Sequence, residues 1–277
     1  MNKSDVLIKW TGSKRSQAKD IIEYFPKYID NYFEPFAGSC SVLWDLLNNK
    51  DISVNHYICS DINPDLIFLW NEIKEHPEMV ISTYETLWNS LNSIEEQEKR
   101  NDLWYDIRNE FNKNRNPYLF LFLNRTCYNG LIRYNNSGEF NTSYHFSRKG
   151  IDPKSLHDII FKWNKILVEK NVIFNHGDYL DIITKTNDFM YCDPPYSKSD
   201  SMYYGKINYN EFFLYLNNLE CKWILSFDGF QNEINNIYDI PKDLYKKHLL
   251  IDSGISSFSK LKGNNVSVKE SIYLNYE

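Results

Sequence analysis

Asp193-Pro194-Pro195-Tyr196 closes the apolar run 189–192 and is the most chemically pointed pattern in the chain. Prolines fix the backbone and cannot continue a strand ladder. The turn therefore holds the Asp193 carboxylate and the Pro194 carbonyl as two acceptors facing one space. Two such acceptors suit an amine carrying two hydrogens, such as the exocyclic amine of adenine, and Tyr196 offers a face for stacking. A strand-ending turn with no chemistry would use the same four residues, so this segment alone leaves both readings open.

Three more polar signals sit where predicted strands end: Phe36-Ala37-Gly38, Asp61 and Asp178. Ligands of open α/β sheets bind at the carboxyl ends of the strands, so four such ends on one rim point to a site. Gly38 lets a backbone approach a ligand closely. Asp61, roughly 20 residues on, stands where an acid accepts hydrogen bonds from ribose hydroxyls. Neither GxGxxG nor GxxxxGKS/T is present, which argues against a dinucleotide pyrophosphate site and against a P-loop. A nucleoside cofactor without phosphate remains. So does the plainer reading of Gly38 as a tight turn and Asp61 as a helix-start residue.

These residues need elements to position them. Periodicity predicts a short helix over 15–24, a strand over 32–36, a helix over 40–47 and a strand over 56–62 that carries Asp61. Asn63-Pro64 then reads as an N-cap and first-turn proline opening a helix over 64–74. Strand, glycine turn, helix, strand, acid, helix is the first half of a doubly wound sheet. The stretch 75–115 is polar and helix-prone, with Trp88 and Trp104 as packing anchors. After the apolar stretch 117–124 comes 125–141, rich in Asn, Gly, Tyr and Arg, with turn signals at Asn129-Gly130 and Ser137-Gly138. Loops of this composition carry function more often than they fill a core. A helix over 154–170 and strands over 172–175, 189–192, 222–227 and 271–276 resume the α/β pattern. An insertion over roughly 65–152 thus splits one α/β unit.

The chain has 277 residues, long enough for such a unit. No apolar run reaches the ~18–20 residues that span a bilayer, and the first residues lack an apolar signal core, so a cytoplasmic location is expected. Cys40, Cys59, Cys127, Cys192 and Cys221 form no CxxC pair, which argues against a zinc site or a disulfide framework. A net charge of −6 argues at first against nucleic acid. Yet Lys113, Arg115, Arg125, Arg133, Arg148 and Lys149 share the stretch 113–149 with Glu139 as its only acid. A locally basic face on an acidic protein suffices to meet phosphates, although a solvated charged surface looks the same.

Taken together, the motifs resemble those of the Dam-type (α-group) family of S-adenosylmethionine-dependent DNA N6-adenine methyltransferases. The resemblance is carried by Lys9-Trp-Thr-Gly-Ser-Lys14, Glu34-Pro-Phe-Ala-Gly-Ser39, Ser60-Asp-Ile-Asn-Pro-Asp-Leu66, FLNRTCYNGLIRY over 122–134, Gly138-Glu-Phe-Asn141 and Asp193-Pro-Pro-Tyr196. They follow the family's order and span nearly the whole chain. The resemblance implies an α/β fold: a Rossmann-like methyltransferase sheet from 1–64 and 153–277, with an inserted, mainly helical target-recognition domain over 65–152 carrying a β-hairpin. It implies that Trp10 and Lys14 lie against the methionine end of the cofactor, with Phe36 and Gly38 as the turn beneath it. Asp61 would take the ribose hydroxyls, Ile62 and Tyr179 would flank the cofactor's adenine, and Asp178 would accept from its amine. Asp193 would be catalytic, with Pro194 as second acceptor and Tyr196 stacked on the target base. Lys9, Arg125, Tyr128, Asn129, Leu131 and Arg133 would meet double-stranded DNA.

Three residues depart from the family pattern. Cys40 stands where the second glycine of FxGxG often stands, and Ser13 replaces a glycine of KWxGGK. Both are small, so adjusted cofactor contact is expected, not its loss. Ser143 takes the place of a proline usual in readers of GATC, which leaves the recognition sequence open. The expected reaction is methyl transfer to N6 of an adenine flipped out of duplex DNA, by direct displacement without a metal, at a short GATC-like site. A restriction endonuclease encoded alongside would fit a restriction-modification setting. Cytosine N4 is the nearest rival target. A DNA-binding protein without turnover is a rival from a different class, and methylation of RNA ranks last. The stretches 197–206 and 253–265 are candidates to close over DNA, although plain surface loops would have the same composition.

Overall fold

The computed structural model describes residues 5–196, 207–232, 234–255 and 267–277. Of the two loop candidates, 197–206 and 256–265 lie outside the described residues.

Three helices begin with one local device. Asn63-Pro64, Asn116-Pro117 and Asp152-Pro153 each set an acceptor side chain at the N-cap and a proline in the first turn. The Asn63 side chain accepts from the Asp65 and Leu66 amides at 3.0 and 3.4 Å. These are donors without intrahelical partners, and proline removes one that the helix would leave orphaned. The helices α3 (Pro64–Glu75), α6 (Pro117–Thr126) and α7 (Pro153–Glu169) follow. The apolar stretch 117–124, ambiguous by periodicity, is therefore helical.

The sheet contains β1 (Tyr28–Glu34), β2 (Ser53–Asp61), β3 (Ile173–His176), β4 (Phe189–Cys192), β5 (Lys222–Gln231), β7 (Lys247–Ile255) and β8 (Ser267–Leu274), in the order β3-β2-β1-β4-β5-β8-β7. A two-residue β6 (Ile234–Asn235) pairs with β5. The first five strands are parallel, and β8 runs antiparallel to both β5 and β7. All four residues of β4 are buried, as a central parallel strand covered on both faces requires. From β1 the chain proceeds to one side, through β2 and β3, and then returns to the other side at β4. That reversal opens a crevice at the carboxyl ends of β1 and β4.

The crossover from β2 to β3 carries α3, α4 (Pro77–Ser93), α5 (Gln97–Asn114), α6 and α7. Helix α3 touches β2 and β3 as well as α6 and α7, and one hydrophobic core joins the sheet to the inserted helices. Trp44 and Trp70 close on Trp163 with ring centroids 4.4 and 4.8 Å apart. Their polar tips are satisfied: Trp163 Nε1 donates to the Asp5 carbonyl at 2.9 Å, and Trp70 Nε1 to the Gly38 carbonyl at 3.0 Å. Trp104 is fully buried and donates to Thr126 Oγ1 at 2.8 Å, while Trp88 is only partly buried. Helix α8 (Tyr209–Asn217) and strand β7 were not foreshadowed by sequence periodicity, and β8 begins four residues before the expected 271.

Candidate active site

After Glu34 the chain turns sharply. Gly38 has a φ of +48°, and a Cβ there would sit 2.8 Å from Trp10 Nε1. The turn and the indole each require glycine. Asp61, at the end of β2, fastens this turn. Its Oδ2 accepts from the Gly38 amide at 3.1 Å and its Oδ1 from the Asn63 amide at 3.0 Å. Burial pushes its carboxyl up to about 6, with the two amide hydrogen bonds pulling the other way. Cys40 takes a left-handed φ of 52° while fully buried, a conformation that strains any residue but glycine by ~1–2 kcal/mol. Ser13 is bonded to Ser41 at 2.6 Å and to Ser39 at 3.1 Å, so its hydroxyl ties the segment 9–14 to the Gly38 turn.

The other wall holds the Asp193 turn. Lys14 Nζ lies 2.7 Å from Asp193 Oδ1, 3.6 Å from Glu270 Oε2 and 4.8 Å from the centre of the Tyr196 ring. Burial raises the Asp193 carboxyl to about 6; Lys14 pulls it down, Glu270 pushes it up and the Tyr196 hydroxyl lowers it. Glu34 is buried at the end of β1, and burial raises it to about 8 against a hydrogen bond from the Tyr32 hydroxyl at 2.6 Å. At neutral pH it is mostly the uncharged acid.

Trp10, Lys14, Phe36, Gly38, Asp61, Ile62, Asp178, Tyr179, Asp193, Pro194 and Tyr196 line one cleft of about 1020 Å³, open solvent included. The Tyr179 ring lies 5.6 Å from Phe36 and 5.1 Å from Phe212. Asp178 caps the short turn Tyr179–Asp181, accepting from the Leu180 amide at 3.0 Å. Glu34, Ser13, Ser39 and Tyr191 share the lining. Sequence reasoning expects adjusted cofactor contact at Ser13 and assigns Glu34, Ser39 and Tyr191 no role of their own, since nothing in their local pattern distinguishes them from core or turn.

Beside the cleft, Asn124 clamps Lys9: its Oδ1 accepts the Lys9 amide at 2.9 Å and its Nδ2 donates to the Lys9 carbonyl at 2.7 Å. The Lys9 stem lies against Gly130, where a Cβ would meet Lys9 Cδ at 2.6 Å. Burial, then Arg148 and Arg125, lower the Lys9 ammonium to about 8. Tyr128 is half exposed and stacks on His145 at 5.2 Å, and Asn129 turns the chain with a φ of 55°. Antiparallel bridges pair Cys127 with Tyr144 and Tyr134 with Phe140, and the Asn141 amide donates to the Arg133 carbonyl at 2.9 Å. This irregular hairpin leaves Arg133 exposed and Leu131 half-buried. The Tyr134 hydroxyl and Arg115 Nη1 both donate to Asp65 Oδ2, at 2.7 and 3.1 Å, and tie the hairpin to the first turn of α3.

Arg125 sits elsewhere than a DNA contact would need. It is 5% exposed and donates to the Val6 carbonyl at 2.7 Å. Its place on the inward side of α6 makes it a support for the segment that carries Lys9.

Residues 10–250 match the D12 class N6 adenine-specific DNA methyltransferase family. The chain belongs to that family. Over 222 residues this methyltransferase is 33% identical to the Type II methyltransferase M.MjaIII of Methanocaldococcus jannaschii, 74% of each chain being covered. Over 204 residues it is 35% identical to the DNA adenine methylase of Escherichia coli K12, covering 71% of this chain and 66% of that one. The rRNA methyltransferase aviRa from Streptomyces viridochromogenes superposes on 99% of the methyltransferase and 92% of its own chain, at a TM-score of 0.42 and 12% identity. Among the described residues, no helix is long and apolar enough to cross a membrane, and no group of three or more His, Cys, Asp or Glu is placed to hold a metal ion.

Proposed function

We propose that this methyltransferase transfers a methyl group from S-adenosylmethionine to N6 of adenine in duplex DNA, at a short GATC-like site, in the cytoplasm, as the modification half of a restriction-modification system. The observation that carries the reading is that the Asp193 turn, Gly38 and Asp61 open into one cleft. The similarity to a Type II methyltransferase supports the restriction setting.

The cleft suits the cofactor by charge. Among the described residues its lining holds the carboxylates of Asp61, Asp178 and Asp193 against one basic residue, Lys14, with Glu34 mostly uncharged at neutral pH. Such a lining favours a sulfonium and an ammonium, and repels a pyrophosphate. In this reading Asp61 holds the ribose, Ile62 and Tyr179 the faces of the adenine, Asp178 its amine, and Trp10 and Lys14 the methionine end, above Phe36 and Gly38. When bound, S-adenosylmethionine supplies an electrophilic methyl group.

Paired adenine keeps its amine inside the duplex, so the base must leave the stack, at a cost of a few kcal/mol. Tyr128, exposed beside the hairpin, is placed to fill the gap, and Tyr196 to stack on the flipped base. The amine is a poor nucleophile because its lone pair is shared with the ring. Asp193 and the Pro194 carbonyl accept its two hydrogens and favour the pyramidal form that attacks. As its new bond to carbon forms, the amine gives up one proton. Asp193, raised to about 6, is the acceptor at hand. In this reading the adenine amine is itself the nucleophile.

Lys9, Tyr128, Asn129, Leu131 and Arg133 form the face offered to DNA, with Arg125 beneath it. Arg133 would present its fork to guanine O6 and N7 in the major groove. Arg133→Ala is then expected to weaken discrimination at one base pair by roughly 1–3 kcal/mol, read as kcat/KM over duplexes altered one position at a time. An even loss at all positions, with a shallower salt dependence, would assign Arg133 to a phosphate instead.

The test of the whole reading is expression in a host that makes no methyladenine, followed by native sequencing of its DNA. Methyladenine in one short motif is the expected result, and an accompanying endonuclease that cuts only the unmodified motif would support the restriction setting. Methylcytosine would move the reaction to the other exocyclic amine. Unmodified DNA, with cofactor binding intact, would overturn the proposal.

A further inference from the structure

Glu270 enters the catalytic centre from the far end of the chain. It lies on β8, opposite the irregular pairing of β5 between Phe227 and Phe230. Its side chain is 13% exposed, and Oε2 is buried without a hydrogen bond. Buried carboxylate oxygens are rarely left in that state. Among the described residues, the nearest opposite charge is the Lys14 ammonium, 3.6 Å away, close enough for attraction and too far for a hydrogen bond. Lys14 instead bonds Asp193 Oδ1 at 2.7 Å and donates to the Gly12 carbonyl at 2.8 Å.

This arrangement sets up a competition at Asp193. The carboxylate that must accept from the target amine already holds an ammonium, and a buried lysine displaced from it needs a further carboxylate beside it, since an uncompensated buried charge is strongly unfavourable. We propose that Glu270 is a positioning residue that receives the Lys14 ammonium when the target amine takes Asp193. The proposal rests on the reading of Asp193 as the acceptor of that amine. A movement of about 1 Å brings Nζ to ordinary hydrogen-bond distance from Glu270 Oε2. Among the described residues, the other titratable groups interacting with Asp193 are Tyr196, Tyr191, Glu34 and Cys192, the last a buried thiol. Burial keeps Tyr191 as the phenol and Glu34 mostly as the acid at neutral pH, so neither can take the ammonium as an anion.

The experiment is the pH dependence of methyl transfer to duplex DNA by wild type, Glu270→Gln and Glu270→Asp, with thermal melts to show that each variant is folded. Glu270→Gln is expected to lower kcat at least about tenfold, because the lysine then stays on Asp193. It should also move the acid limb of kcat/KM to lower pH, because the carboxylate that disfavours a charged Asp193 is gone. Glu270→Asp should recover part of both. An unchanged kcat, or a loss of activity with the acid limb unmoved, or no recovery with aspartate, would overturn the exchange. Asp193→Asn measured alongside separates the two levels. If that variant keeps its rate, the reading of Asp193 fails. If it is inactive while Glu270→Gln behaves as wild type, only the exchange fails.

Discussion

Asp193→Ala is expected to lower the rate of methyl transfer by at least ~10²–10³ while the protein still folds and still binds its cofactor. The residue ends β4 at the point where the strand order reverses, and its carboxyl group faces the same cleft as Gly38 and Asp61. In the proposed mechanism, removing it takes away one of two acceptors for the amine and the group that takes its proton. Cofactor affinity should change little, because the same proposal assigns the nucleoside end to Asp61, Asp178 and Tyr179. Alanine also takes from Lys14 its partner at 2.7 Å, so some loss of stability should accompany the loss of rate; the isosteric Asp193→Asn limits it. In the wild type, kcat/KM should fall as the pH drops through about 6, because a protonated Asp193 can no longer take the proton that the amine gives up. Single-turnover rates on a methylatable duplex are the measurement. A variant that keeps more than about a tenth of the wild-type rate would remove Asp193 from its assigned role.

The second large effect is structural. Gly229→Ala is expected to destabilise the protein by about 3 kcal/mol, the upper end of what overpacking costs. A Cβ at this position would lie 2.0 Å from the Lys269 carbonyl oxygen and 2.9 Å from Glu270 Cα. Both are backbone atoms of the neighbouring strand, so no change of rotamer relieves the clash. β5 and β8 must separate where their register already shifts, between Phe227 and Phe230. Because Glu270 rides on that stretch, its spacing from Lys14 should change as well, and activity should drop further than the melting temperature alone would suggest. Urea unfolding beside methyl-transfer rates would show both. A midpoint equal to wild type would mean that the strands part here without cost.

Much of the site was legible because its residues announce strand ends. Gly38, Asp61, Asp178 and Asp193 each follow a short apolar run, and Asn63-Pro64 marks a helix start that a single local device dictates. Periodicity could not decide the stretch 117–124, which is apolar on every side and buried from Phe120 onward. β7 and the first half of β8 escaped because they do not form the continuous apolar run by which a buried parallel strand shows itself. Arg125 was misplaced on the surface because charge alone cannot show which face of a helix turns inward. Glu270 was invisible for a different reason. Its partner Lys14 is 256 residues earlier in the chain, and no local spacing connects a strand at one terminus with a loop at the other. The left-handed conformation of Cys40 was likewise foreshadowed only by comparison with the family's glycine.

Lys9, on the face proposed to meet DNA, carries a charge that its surroundings tune. Burial and two arginines hold its ammonium at about 8, well below the ordinary lysine range. Any anion or carbonyl set against it pulls that value back up. If DNA sets a phosphate or carbonyl against Lys9, as proposed, association on the alkaline side of neutrality is expected to carry a proton with it, and affinity to strengthen as the pH falls toward 8. The proton and the duplex are in effect joint ligands of one lysine, each making room for the other.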